Sequence, residues 1–272
     1  MSIDAMSFEI ILGLSLALFI GITLGLIGGG GSILTVPVLV YALQVAPVEA
    51  TAYSLFVVGV TSAVGAIGYQ RKGLIAWRTG LLFALPSLIA VFLVRSLLLP
   101  AIPDPMGGLI GISFPKDVFI MVLFALIMAM ASFSMIRDGD AIATESQAAV
   151  KARPLIILLE GFGVGAVTGL VGAGGGFLII PALVILMGLP MRMAVGTSLM
   201  IIAIKSLLGF MGDVLTLPQI NWSLILPFTL ISLIGVGLGV LLSGYISSQK
   251  LKKGFGVFVA FMAILILVNE LL

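Results

Sequence analysis

Charged residues are scarce in this 272-residue chain, where Lys, Arg, Asp and Glu together make up 9%, against about 25% in a typical soluble domain. With 61% hydrophobic residues, the chain lacks the polar side chains that would cover a globular surface in water. The absence of cysteine excludes disulfides and thiolate metal sites. The absence of histidine removes the commonest metal ligand and acid–base catalyst. The sequence therefore predicts an all-α polytopic membrane protein with no catalytic site, metal site or cofactor.

Eight apolar runs are long enough to cross about 30 Å of hydrocarbon as helices of roughly 20 residues. They lie near residues 8–27, 48–69, 79–99, 117–136, 154–172, 191–212, 223–246 and 254–271. Two further runs, 32–44 and 177–188, would span only about 18–20 Å at about 1.5 Å per residue. Each short run directly follows a glycine cluster. We expect about eight full transmembrane helices and two short, glycine-broken ones.

An internal repeat relates the two halves of the chain. A shift of 144 residues aligns 25–68 with 169–212, and 15 of the 44 positions are identical. The aligned segments begin with GLIGGGGSILTVPVL and GLVGAGGGFLIIPAL. The repeat divides the chain into a first membrane unit, 1–136, and a second one, 154–272. The polar stretch 137–153 between them is predicted to be a solvated cytoplasmic linker.

The positions of Lys and Arg predict the orientation, because basic residues collect in cytoplasmic loops. Assigning the basic loops to the cytoplasm leaves 45–48, 100–115 and 213–221 outside, with Arg95 and Lys116 flanking the second of these as exceptions. Each glycine-containing pair of segments then starts and ends on one side. The two halves are therefore predicted to be inverted relative to each other, with both termini external. The basic residues assigned to the cytoplasm are Arg71, Lys72, Arg78, Arg137, Lys151, Arg153, Arg192, Lys250, Lys252 and Lys253.

The glycine clusters break a helix in each half, although glycine costs about 1 kcal/mol relative to alanine in a helix interior. A break frees the first N–H groups of the next helix, whose positive dipole end favours an anion. In inverted repeats such breaks indicate a transporter's substrate site. The alternatives are close helix packing and a P-loop, whose Gly-Lys-Ser/Thr signature is missing. The predicted binding residues here are Gly28, Gly29, Gly30, Gly31, Ser32, Gly172, Gly174, Gly175 and Gly176. Ser32 is also a candidate helix cap.

One lysine, Lys205, lies in the middle of the predicted span 191–212, where a charge costs about 2.5–3.5 kcal/mol on insertion scales. Ser198 precedes it by two helical turns, so the two side chains share a helix face. We expect a cavity in which Lys205 supplies positive charge to an anion. The alternative is a buried ion pair with Glu160 that only joins helices. The hydroxyls expected around the anion are those of Ser54, Thr61, Thr197 and Ser198.

The paired glycine segments, the second continuing into AVGTSL at 194–199, resemble the two signature regions of the TauE/SafE family of sulfite and organosulfonate exporters. The resemblance covers nearly the whole chain, including its length and central loop. It implies a multi-pass permease of the prokaryotic plasma membrane for small sulfur-containing anions such as sulfite or sulfoacetate. The glycine turns, Ser54 and Thr197–Ser198 match the family's pattern, while Tyr53 stands where the second half has Thr197.

The leading hypothesis is a secondary anion exporter that works by alternating access. An anion channel with the same lining, and a transporter of another small anion, remain alternatives. A cation transporter would need clustered carboxylates deep in the membrane, and the sequence has none. An intramembrane enzyme would need an aspartate pair or a Ser/His dyad, and the sequence has neither. The expected partners are a small anionic substrate and the lipid bilayer, with no nucleic acid. Assembly into a homo-oligomer stays open.

Overall fold

The computed structural model describes residues 3–103, 115–137, 154–171, 175–215, 219–245 and 248–271. These residues form ten helices and no strand. The predicted linker 137–153, apart from Arg137, lies outside the described residues. The helices are α1 Ile3–Ile27, α2 29–42, α3 Pro47–Arg71, α4 Trp77–Ala101, α5 Lys116–Arg137, α6 Pro154–Val171, α7 176–186, α8 Met191–Val214, α9 Trp222–Leu242 and α10 Ser248–Leu271.

The eight long helices coincide with the eight long apolar runs of the sequence. Within the described residues, four of them are long and apolar enough to cross a membrane by length and composition: α3, α4, α8 and α9. Proline sets the start of α3, where Pro47 occupies the first turn and needs no amide donor there. Glycine with positive φ separates neighbouring helices at Gly73, between α3 and α4, and at Gly188, before α8.

The two short helices, α2 and α7, are irregular in the same way. Pro37 and Pro181 occupy equivalent positions of the repeat, and a π turn starts at the next residue in both helices. A proline lacks the N–H that a regular helix would use, so the hydrogen-bond ladder slips after it. The component turns are Gly29–Leu34, Thr35–Pro37 and Val38–Ala42 in α2, and Gly176–Pro181 and Ala182–Leu186 in α7.

Helices α1 and α2 form a hairpin around the first glycine cluster. At its open end, a Cβ added to Gly13 would lie 2.5 Å from Leu43 Cδ2. Near the turn, a Cβ added to Gly31 would lie 2.5 Å from the backbone nitrogen of Leu24. The chain therefore returns along α1 after the glycines, and α3 begins beside the early residues of α1.

Helices α3 and α8 cross antiparallel at the centre of the molecule. Gly59 contacts Leu207, and Gly65 contacts Leu199, so residue numbers rise along one helix as they fall along the other. Helix α9 also packs on α3, and α4 packs on α8. The outer pairs are α1 with α9, α4 with α6, and α5 with α10.

Glycine allows the outer pairs to approach to backbone contact. A Cβ on Gly235 of α9 would collide with the Leu18 carbonyl of α1, and one on Gly165 of α6 with the Ser87 carbonyl of α4. Gly163, by contrast, has open space where its Cβ would be. The close-packing function that small residues serve in membrane helices therefore holds for Gly165 and Gly235.

We predict that Gly165→Leu destabilises the protein by about 1–3 kcal/mol, because the added side chain must displace the α4 backbone. Gly163→Leu, two residues away on the same helix, is the matched control and should be neutral or slightly stabilising, since leucine is the better helix former. Thermal unfolding of the two purified variants in detergent measures the difference. Equal unfolding temperatures would show that this helix contact contributes nothing.

Candidate anion site at the two glycine turns

The two glycine turns touch each other back to back. A Cβ added to Gly29 would overlap Gly176 Cα, a Cβ added to Gly176 would overlap Gly29 Cα, and each would lie 2.5 Å from Ile202 Cδ1. No residue larger than glycine fits at either position. The starts of α2 and α7, one from each half, therefore meet beside the middle of α8.

Backbone conformation at each turn requires glycine as well. Gly28 has φ 76° and Gly175 has φ 64°, in the left-handed region that other residues adopt at a cost. Each of them is the N-cap of the helix that follows, and glycine has no side chain with which to cap it. The first N–H groups of a helix have no partner within the helix, so both turns present amide donors.

Ser32 does not cap α2. It is the fourth residue of the 3₁₀ turn, and its hydroxyl donates to the Gly29 carbonyl at 2.6 Å. Gly30 lies in the same turn. Gly172 and Gly174 fall outside the described residues.

Lys205 reaches the second turn. Its side chain is fully buried, and Nζ lies 2.8 Å from the position of a Cβ on Gly175. Nζ donates to Thr168 Oγ1 at 2.9 Å, and that hydroxyl donates to the Val164 carbonyl at 2.7 Å. An ammonium group has three donors, and among the described residues one of them is used, so Lys205 brings a cationic group with further donors to the glycine turn.

The alternative ion pair between Lys205 and Glu160 does not form. Arg95 and Asp213, in contrast, do form an ion pair. Glu160 lies eight residues before Thr168 on α6, about 12 Å along the helix axis, which explains why its carboxylate does not meet Nζ. Thr168 was not singled out from the sequence, although a threonine just before a glycine break is a usable signal.

Ser198 lies at the first turn. Its Oγ would be 2.9 Å from a Cβ on Gly28, and it donates to the Val195 carbonyl at 2.8 Å. The neighbouring Thr197 has a different contact, because its hydroxyl accepts from the Ala76 N–H at 2.9 Å and fixes the start of α4.

Thr61 and Ser54 lie on α3 and make different contacts. The Thr61 hydroxyl donates to its own helix, at the Val57 carbonyl 2.6 Å away. Ser54 Oγ is buried without a hydrogen-bond partner among the described residues. Gly65 of α3 faces Leu199 of α8, the neighbour of Ser198. Ser54 precedes Gly65 by eleven residues, which is roughly 16 Å along α3. Ser54 and Ser198 therefore lie near opposite ends of the crossing.

A buried ion pair joins α4 to α8 at one end of this crossing. Arg95 Nη1 contacts Asp213 Oδ1 at 3.3 Å and donates to Thr51 Oγ1 of α3 at 3.0 Å. Arg95 is 1% exposed and Asp213 is 3% exposed. From the sequence, Arg95 is expected only to flank an external loop; in the structure it lies within α4, six residues before that helix ends, buried against Asp213 near the end of α8.

Comparison with known proteins gives one family and several relatives. The sequence profile of a family described as "Sulfite exporter TauE/SafE" matches residues 13–266. A "Probable membrane transporter protein" of Xylella fastidiosa (strain Temecula1) is 33% identical over 263 residues, covering 91% of each chain. The "Probable membrane transporter protein YunE" of Bacillus subtilis is 26% identical and covers 80% of this chain and 81% of its own. No solved structure gives a significant match.

We predict that Arg95→Leu destabilises the protein by about 3–5 kcal/mol, because it leaves the Asp213 carboxylate buried without its cation. The double variant Arg95→Leu/Asp213→Leu should recover most of that loss, since it buries two apolar side chains instead. Thermal unfolding of the single and double variants tests this, with Arg78→Leu at an exposed position as control. A double variant that is less stable than Arg95→Leu alone would contradict the prediction.

Proposed function

Because the chain belongs to the sulfite exporter TauE/SafE family, we propose that it exports a small sulfur-containing anion, such as sulfite or a C2 sulfonate. Its membrane-transport function follows from the family and from relatives that are named as membrane transporters. The proposal adds the substrate, the outward direction and alternating access around the two glycine turns. It also places the protein in a prokaryotic plasma membrane with both termini external.

The observation that carries the proposal is the position of Lys205. A buried ammonium group beside the Gly175 turn, bonded to Thr168 and to no carboxylate among the described residues, favours a negatively charged ligand. Such a ligand would neutralise the charge and accept hydrogen bonds from Nζ and from the first amides of α7. We assign the substrate contacts to Lys205 and the glycine turns, with Ser198 at the first turn.

The pairing of helices supports an inverted repeat. The repeat matches α1 with α6, α3 with α8, and α4 with α9. Under this matching, the packing of α1 on α9 is equivalent to the packing of α6 on α4, and both contacts occur. In the same way, the packing of α4 on α8 is equivalent to the packing of α9 on α3. The antiparallel crossing of α3 with its own counterpart α8 is what an inverted repeat would require.

Equivalent hydrogen bonds support the same register. The Tyr53 hydroxyl accepts from the Asn221 N–H at 3.1 Å, as Thr197 accepts from Ala76. We propose on these grounds that all eight long helices cross the membrane. A potential of about 100 mV, negative inside, would then favour outward movement of an anion by about 2.3 kcal/mol per charge.

The test is Lys205→Met, which keeps the length of the side chain and removes its charge. We expect sulfite efflux from proteoliposomes to fall at least tenfold, since a hydrogen bond to a charged group contributes about 1.5–3 kcal/mol. The unfolding temperature should stay the same or rise, because a buried charge has been removed. The measurements are labelled-sulfite flux and thermal unfolding of the same preparation.

Two comparisons make this test specific. Lys253→Met removes an exposed lysine and should leave the flux unchanged, while Lys205→Arg should keep part of it. Wild-type flux in Lys205→Met would remove the proposed site. Unitary currents from the wild-type protein in planar bilayers would instead identify an anion channel.

A further inference from the structure

A second cluster of positive charge lies outside the glycine-turn site, in a small cavity at one end of the molecule. We call this cavity the basic pocket. It is an open cleft of about 60 Å³, room for roughly four water molecules or one small oxyanion with a water, and both Lys72 and Arg192 are exposed residues. The residues of its lining that matter here are Tyr69, Lys72, Leu74, Arg192, Val195 and Ser243.

The charged residues that line the basic pocket are all positive. Lys72 and Arg192 contribute two cations, and among the described residues that line the pocket there is no Asp or Glu. Lys72 is held in place, since its Nζ donates to the Val240 carbonyl at 3.0 Å and to Ser243 Oγ at 3.4 Å. The same Nζ lies 5.7 Å from the centre of the Tyr69 ring. These contacts come from α3, α9 and the residues after α9, so the cation is anchored where three segments meet.

The inner wall of the basic pocket adjoins the first glycine turn. Val195 lines the pocket, and its Cγ1 would lie 3.0 Å from a Cβ on Gly28. The carbonyl of the same residue accepts the hydrogen bond of Ser198. Val195 therefore contacts both the basic pocket and the turn that precedes α2.

The location fits the predicted orientation. Lys72 and Arg192 belong to the basic loops that the positive-inside pattern assigns to the cytoplasm. A substrate that leaves the cell by this protein has to reach the glycine turns from that side. Opposite charges in a cleft raise the local concentration of an incoming ion.

We propose that the basic pocket is a capture site for the anionic substrate, where Lys72 and Arg192 bind an oxyanion before it passes Val195 to the glycine turns. The proposal rests on the function proposed above, and it assigns these two residues a role beyond orienting the protein in the membrane. If they served orientation alone, an anion such as sulfoacetate would not bind between them and would not protect a thiol placed in the pocket.

The chain has no cysteine, so a single introduced thiol can report on the pocket. In Leu74→Cys we compare labelling by 2-sulfonatoethyl methanethiosulfonate, itself an ethyl sulfonate, with labelling by its trimethylammonium counterpart. For each variant we take the ratio of the labelling rate by the anionic reagent to that by the cationic reagent. The ratio for Leu74→Cys is then normalised to the ratio for Tyr245→Cys, because Tyr245 is 89% exposed and absent from the pocket lining. We expect a preference of about tenfold for the anionic reagent at low ionic strength, from two nearby unit charges.

Three further results are expected. The preference disappears in the Lys72→Gln/Arg192→Gln background and persists in Arg71→Gln/Arg78→Gln, which removes two charges from the ends of α3 and α4 that do not line the pocket. It also weakens as the salt concentration rises from about 0.01 M to about 1 M, where the Debye length falls to about 3 Å. Sulfoacetate slows labelling of Leu74→Cys but not of Tyr245→Cys.

Equal preferences in the two glutamine backgrounds, or no protection by sulfoacetate, would overturn the capture site. Labelling needs no transport, so this outcome is separate from the failure of the proposed function, which is an absence of sulfite flux in the wild-type protein. Where flux is measured, Lys72→Gln/Arg192→Gln should raise the KM for sulfite about tenfold with little change in maximal rate. Thermal unfolding of each variant confirms that it is folded.

Discussion

The contact between Gly29 and Gly176 is the constraint on which the arrangement of the other helices depends. Peptide groups that break a helix at membrane depth must be buried in protein or face a watered cavity. Here the two breaks are placed against each other, and only glycine at both positions allows it. Because α2 and α7 both start at this contact, the helices that follow them, α3 and α8, cross antiparallel beside it. The amide donors of both halves are thereby collected at the middle of one helix pair.

The scaffold is nearly symmetric, but its chemistry is not. Position 61 on α3 and position 205 on α8 are equivalent in the repeat, and one carries threonine where the other carries lysine. The contact of Gly59 with Leu207 puts Thr61 and Lys205 at about the same level of the crossing. Two lysines there would repel each other in a medium of low dielectric constant. A single lysine at the crossing avoids that repulsion.

Helix positions could be predicted from the sequence because hydropathy, proline and glycine act locally. The short runs predicted at 32–44 and 177–188 appear as helices at 29–42 and 176–186, and the last-but-one run, 223–246, as Trp222–Leu242. Partners across the fold could not be predicted in this way. Hydropathy gives the depth of Arg95 and Asp213 but not the rotation of α4 and α8 that turns both inward. For the same reason, hydropathy could not predict that Lys205 would bond to Thr168 and not to Glu160.

The two ends of the α3–α8 crossing present different barriers to an ion. At one end, Arg95 joins α4 to α8 and Thr51 adds α3, so a path there requires a buried ion pair to separate. At the other end, Lys72 and Arg192 surround open volume, and the Val195 side chain stands before the first turn. Separating two buried charges is strongly unfavourable, whereas the other end is open to solvent as far as Val195. The alternating-access cycle proposed above would have to reverse this inequality, and the energy that opens the Arg95 end would then come from differential binding of the proposed substrate to the two conformations.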